Sequence, residues 1–294
     1  MARQNGQLPG FIQAPRKESK PSKVVGLIIT GKNKQISCPG FVSDPITLQP
    51  AKLLIEKAPS SDAISPISVV IPTFRRPQWC AALLRQLRVE NTFVPMTIHV
   101  HDDASGIDYG EVKELVDDLE GRFYSWPSNY GKTRYWEFTT EMWDTARSDG
   151  NAWLLWLNDD FDLCDNFLNR LFTAWKSIPD PRAAALIPLA DPRYSRGQSS
   201  TPLARVRKAT WMDCFGLFPR RTLDSLDWRI DPVKSNDFSS CVNTQISQRL
   251  KGAGSSLWQT TTSLVDHRGA TFSQMHPKLR EKEPLHAHHF HRKG

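Results

Sequence analysis

The run "AWLLWLNDDFDLCDNFLNRL" (152–171) places Asn158, Asp159, Asp160 and Asp162 directly after an apolar stretch. Carboxylates on the end of a hydrophobic strand cost several kcal/mol to bury unpaired, so such a cluster calls for a partner. A metal ion, a row of basic side chains, or water at a helix N-terminus would each serve. A second acidic pair, Asp102 and Asp103, ends the run "MTIHVHDDAS" (96–105), and His267 closes "SLVDH" (263–267). Each has an ordinary explanation when taken alone. Asp159, Asp160 and Asp162 can cap a helix running from Asp165, Asp102 and Asp103 can form a solvated turn, and His267 can be a hydrogen-bonded histidine of core or surface.

The surrounding pattern positions these groups. "ISVVIPTF" (67–74) is a continuous apolar, β-branched run, the mark of a strand covered on both faces. Helical periodicity follows over 75–90, a strand over 96–105, a helix over 108–121, a short strand over 121–127, a helix over 132–149 and the strand 152–157. Strand and helix alternate, as in an open parallel α/β sheet, where ligands bind beyond the carboxyl ends of the strands. Thr73, Asp102, Asp103, Asp159 and Asp160 all fall at such ends. Beyond 172 the expected elements are strands at 183–189, 209–219 and 263–267, a basic loop over 191–208 and a helix over 242–254. Upstream, 23–41 reads as a hairpin turning at GKNK.

Composition narrows the class. The chain has 294 residues, 39% of them hydrophobic, and a mean hydropathy of -0.46. No apolar stretch nears the ~20 residues that cross a bilayer, and the N-terminus lacks the apolar core of a secretory signal, so a cytoplasmic location is expected, in the host cytoplasm if the protein is viral. Five widely spaced cysteines without a CxxC pair read as reduced core thiols. The net charge of +7 is uneven. Residues 1–36 hold seven Lys/Arg against Glu18, the stretch 182–221 eight against Asp191 and Asp213, and the segment from Arg268 onward six against two Glu. Basic arms around a slightly acidic body suit a polyanionic partner, or are simply solvated tails.

In order and spacing, "SVVIPTFRRPQWCAALLRQL", "HVHDDAS", "NYGKTRYW" (129–136), "WLNDDFDLCDNFLNRL" and "LVDHRGATFS" (264–273) resemble the nucleotide-sugar domain of GT-A glycosyltransferases, especially the family-2 group. The resemblance covers roughly 66–275. It implies a mixed, mainly parallel α/β sheet flanked by helices, with the hairpin as an N-terminal extension. It implies a donor-binding half over 66–180 and an acceptor half over 181–275, between a basic arm with hairpin (1–65) and a flexible, His-rich basic tail (276–294). By the same resemblance Asp160 and His267 ligate Mn2+ or Mg2+, and Asp159 faces the ribose or the metal through water. Asp102 and Asp103 meet a uracil edge and ribose, while Pro72, Thr73, Arg75, Asn129, Lys132, Arg134 and Asn158 complete the donor site. Such a metal stabilises the charge that grows on a departing nucleoside diphosphate. Asn158 stands where the family motif starts with Asp. Val242 and Asn243 replace the pair that usually supplies the catalytic base, leaving Asp237, then Asp213, as substitutes.

The acceptor is read from charge. Basic arms and the 182–221 stretch, without a membrane span, point to a polyanion bearing a hydroxyl, such as a 5-hydroxymethylated pyrimidine in DNA of the kind some bacteriophages carry; the base would leave the stack to react. Trp211 is a candidate to stack on the acceptor. A surface glycan or protein acceptor is the alternative, and a non-catalytic nucleic-acid-binding protein with a GT-A shell is a further one.

Overall fold

The computed structural model describes residues 35–36, 46–47, 65–91, 94–195, 205–232 and 241–268. The alternation read from the sequence is realised as β3 (Ile67–Thr73), α1 (Pro77–Glu90), β4 (Met96–Asp102), α2 (Gly110–Asp118), β5 (Arg122–Ser125), α3 (Tyr135–Arg147) and β6 (Trp153–Trp156), after β1 (Gln35–Ile36) and β2 (Ile46–Thr47). Then follow β7 (Phe161–Leu163), α4 (Phe167–Lys176), β8 (Ala183–Ile187), α5 (Pro192–Ser195), β9 (Val206–Ala209), β10 (Gly216–Pro219), α6 (Arg220–Ser225), α7 (Val242–Gly252), β11 (Ser256–Thr260) and β12 (Val265–His267).

Eight strands form one sheet in the order β5-β4-β3-β6-β10-β8-β11-β9. The first four are mutually parallel. β10 runs antiparallel between β6 and β8, so strands from both expected halves share the sheet. The chain moves outward from β3 to β4 and β5, then returns to place β6 on the other side of β3. That reversal opens a crevice at the carboxyl ends of β3 and β6, the place where open α/β sheets receive ligands.

Residue types account for the layers. β3 is buried on both faces, as its unbroken apolar run requires. α1 starts with Pro in its first turn, where no N–H bond is lost, and buries Cys80, Leu83, Leu84 and Leu87 at helical spacing. α3 buries Tyr135, Phe138, Thr139, Met142, Trp143 and Ala146 in the same way. β4 carries His99 and His101 fully buried; His99 Nε2 lies 2.6 Å from Asp149 Oδ2, and His101 stacks on Tyr124 at 4.6 Å. Burial pushes both imidazoles below their ordinary pKa range.

One expectation is revised. Gln35–Ile36 pairs antiparallel with Ile46–Thr47; the 23–30 strand of the expected hairpin and the tail 276–294 lie outside the described residues. Cys241 is disulfide-bonded, whereas Cys80, Cys164 and Cys214 are free thiols. Spacing along a chain reports only local pairs, and cysteines remote in sequence can meet in the fold. Among the described residues no helix is long and apolar enough to cross a membrane.

Candidate active site

The crevice is built from strand ends. Asp159 and Asp160, just past β6, are 6% and 4% exposed. Thr73, the last residue of β3, donates its hydroxyl to Asp159 Oδ2 at 2.8 Å, tying the two strand ends together. The Thr73 hydroxyl is also 3.0 Å from the Tyr109 hydroxyl, which accepts from the Arg76 N–H at 3.3 Å. Burial and the neighbouring Asp160 charge push the Asp159 carboxyl up to about 7, against the pull of Arg76 and Thr73.

The acids do not cap the helix that follows. α4 begins at Phe167, and its Phe167 and Leu168 N–H groups are taken by the buried Glu90 carboxylate at 3.0 Å each. Instead the chain forms β7, which pairs antiparallel with β12 so that Phe161 faces His267 and Asp162 faces Asp266. This two-stranded ribbon brings His267 to Asp160, with Nε2 3.6 Å from Oδ1. The Arg268 N–H holds the Asp160 carbonyl at 2.8 Å. Asp162 leaves the cluster and pairs with Arg268 and Gln86.

Arg76 stands over the acidic pair, with Nη1 2.7 Å from Asp160 Oδ2 and 3.6 Å from Asp159 Oδ1. Its guanidinium stacks on Trp79 at 4.7 Å. Arg75 is exposed and takes a left-handed backbone, φ 56, held by its N–H to Ser105 Oγ at 2.7 Å. That turn sends Arg75 outward over Phe74 and Arg76 inward. "RRP" alone does not tell which arginine faces in; the αL turn decides it.

At the end of β4 the second pair is differently engaged. Asp102 accepts from the Ser105 N–H at 3.1 Å. Asp103 accepts from the Tyr130 and Gly131 N–H groups at 2.7 and 3.1 Å, and its carbonyl receives the Asn129 amide at 2.7 Å. Gly131 has φ +55, and an added Cβ would lie 3.0 Å from Asn129 Oδ1, so the loop requires glycine. Lys132 follows, half-buried, its ammonium pKa lowered by burial. Arg134 is exposed and forms a two-pronged pair with Glu137 at 2.8 and 2.7 Å.

Pro72 and Asn158 lie half-buried at the ends of β3 and β6. Asp213 accepts from the Cys214 N–H at 2.8 Å. Burial pushes the Tyr135 hydroxyl well above its ordinary pKa, with smaller contributions from Cys214, Asp213, Asp103 and Asp159. Asp237 lies outside the described residues. Sequence reasoning missed Arg76, Tyr109, Ser105 and Glu90; only Arg76 left a signal, as one of two adjacent arginines.

Among the described residues no three His, Cys, Asp or Glu side chains gather as a metal cage. Asp160 and His267 nevertheless fit one divalent ion as a pair. Asp160 Oδ1 is buried without a hydrogen-bond partner, and the 3.6 Å to Nε2 exceeds a hydrogen bond yet is spanned by one ion with bonds of about 2.1 Å. Two protein ligands suffice where phosphate oxygens and water complete the shell.

No protein-family model matches the chain, and no curated protein matches it. Solved structures do. TarS residues 1–349 of S. aureus, in complex with UDP, is 12% identical over 68% of this chain and 59% of that one, with a TM-score of 0.47. The mannosyltransferase PcManGT from Pyrobaculum calidifontis, in complex with GDP-Man and Mn2+, is 15% identical over 71% and 57%, with a TM-score of 0.44. A mycobacterial protein is 14% identical over 69% and 68%, with a TM-score of 0.45. The chain spans about three-fifths of the first two. Likeness at this level bears on neither donor nor acceptor.

Proposed function

We infer that the protein is a glycosyltransferase that moves a sugar from a nucleotide-sugar, a UDP-sugar in the first instance, to an acceptor hydroxyl. The observation that carries this reading is the buried Asp160 Oδ1, which has no hydrogen bond and faces His267 Nε2 at 3.6 Å, at the crevice where the sheet reverses direction. Asp160 and His267 would hold Mn2+ or Mg2+, which when bound stabilises negative charge on the leaving diphosphate. Asp159, tied to Thr73, stands beside the ribose. Asp102 and Asp103 shape the base end, and their carboxylates keep lone pairs for a ligand. Pro72, Arg75, Asn129, Lys132, Arg134 and Asn158 border that pocket, with Lys132 nearest in character to a phosphate contact. Asp213 is the described candidate to take the acceptor proton, and Asp237 the other.

The favoured acceptor is a 5-hydroxymethylated pyrimidine in DNA. β8 runs in the same sense as β6, and β9 starts where β11 ends. Arg193, Arg205 and Arg207 therefore stand along the same sheet edge as the carboxylates, with β9 about 19 Å from β6 at the usual strand spacing. A row of cations at that distance suits a phosphate backbone. Arg193 is steadied by Asp191, and Trp211 packs on Tyr194 beside it at 4.9 Å.

The test is release of nucleoside diphosphate from a panel of nucleotide-sugars with Mn2+, with and without hydroxymethylated DNA. Stimulation by that DNA, falling with salt and absent in Asp160→Ala, is the expected result. Equal activity on unmodified DNA rejects the acceptor, and stimulation by a glycan or protein would install the alternative. No release and no binding for any donor rejects the transferase.

A further inference from the structure

Two buried carboxylates side by side need a counter-cation when no ligand is present, and here Arg76 provides it. Its Nη1 is 2.7 Å from Asp160 Oδ2, on the same carboxylate whose Oδ1 faces His267. We propose that Arg76 is a tethered stand-in for the metal, holding Asp160 in the donor-free state and moving onto the donor's diphosphate when the ion binds. This rests on the metal reading above.

Three features make Arg76 suited to the exchange. It sits at the N-cap of α1, immediately before Pro77, at the exit of a turn whose strained residue is Arg75. Its guanidinium lies over Trp79, an aromatic face that supports a cation wherever it swings along the ring. A planar fork that satisfies a carboxylate also satisfies two phosphate oxygens. A divalent ion at Oδ1 and a guanidinium at Oδ2 repel one another, so the ion enters readily only when a diphosphate is there to accept Arg76. Metal and nucleotide then bind as a coupled pair, and each raises the affinity of the other by the same factor.

The experiment is a Mn2+ titration of the full chain, followed by the EPR signal of free Mn2+, with and without UDP, in wild type, Arg76→Met, Arg76→Lys and Asp160→Asn. Wild type should bind Mn2+ at least about tenfold more tightly with UDP than without it, a typical coupling. Arg76→Met should gain about tenfold in Mn2+ affinity without UDP, and UDP should then add little, because the competing cation is gone. Arg76→Lys, which keeps the charge but not the planar fork, should bind Mn2+ without UDP as weakly as wild type and should recover only part of the gain that UDP gives wild type. If Arg76→Met fails to fold, Arg76→Gln, which keeps a polar group beside the carboxylates, decides by the same comparison. Unchanged or weaker UDP-free Mn2+ binding in Arg76→Met or Arg76→Gln, while Asp160→Asn abolishes binding, overturns the stand-in role and leaves the metal site standing. Mn2+ binding by Asp160→Asn equal to that of wild type, with and without UDP, overturns both.

Discussion

Two acidic pairs end neighbouring regions of one sheet edge, and they are used differently. Asp103, after β4, has both carboxylate oxygens on backbone N–H groups of the 129–131 loop, and Asp102 closes its own turn on Ser105. Asp159 and Asp160, after β6, receive a hydroxyl and a guanidinium, yet one Asp160 oxygen is buried with no hydrogen bond. A carboxylate satisfied by backbone shapes the site. One left short of partners in a buried crevice is what a ligand completes.

The sharpest way to break this contrast is Asp160→Ala. Sugar transfer should fall at least about 10²–10³-fold, as when a group that stabilises transition-state charge is removed, with the fold retained by circular dichroism. Transfer within a few-fold of wild type would put Asp160 in the same class as Asp103.

Asp103→Ala should act chiefly on stability. It strands two backbone N–H groups and should cost about 2–3 kcal/mol in urea unfolding, with donor affinity falling because the loop loosens. A stable variant with lost donor binding would make Asp103 a ligand contact first.

A milder effect concerns pH. His99 and His101 sit below the usual histidine value of 6.5 because burial disfavours their charged forms. The unfolded chain therefore takes up protons first as pH falls through about 6.5, and stability present above that value is lost below it. Asp159, pushed up to about 7, gains its proton in the folded protein over the same range and contributes in the opposite sense. The histidine contribution is therefore read by difference: from pH 7 to 5 the urea midpoint of His101→Phe, which preserves the stack on Tyr124, should fall less, or rise more, than that of wild type; identical slopes would exclude His101 as a source.

The smallest change is expected from Asp162→Asn. Paired with Arg268 and Gln86, Asp162 should contribute about 1 kcal/mol and leave Asp160-dependent Mn2+ binding intact. A large loss of Mn2+ affinity would extend the ligand set along the acidic run.

The regular first part of the fold was legible because its signals are local. "ISVVIPT" is buried on both faces, α1 and α3 show helical spacing of apolar residues, and the polar strand ends lie where ligands collect. Less was legible beyond β6. β7, α6 and β11 are short elements without a periodic signature, and β10 is inserted antiparallel between strands far from it in sequence. Capping was one ordinary explanation of the acids, yet the N–H groups that open α4 are taken by Glu90, 77 residues upstream of Phe167.

Residue order by itself determined that carboxylates would stand at the carboxyl ends of β3's neighbours, because hydrophobic runs fold as buried strands and the polar residues that end them must emerge at one edge. Only the tertiary structure decided which of those carboxylates have their valences filled. The β7–β12 ribbon brings His267 to Asp160 across 107 positions, the 129–131 loop closes on Asp103, and an αL turn at Arg75 points Arg76 at the acids. Hydrogen-bond satisfaction is a property of neighbours in space, and those neighbours are supplied by pairings that no local spacing encodes.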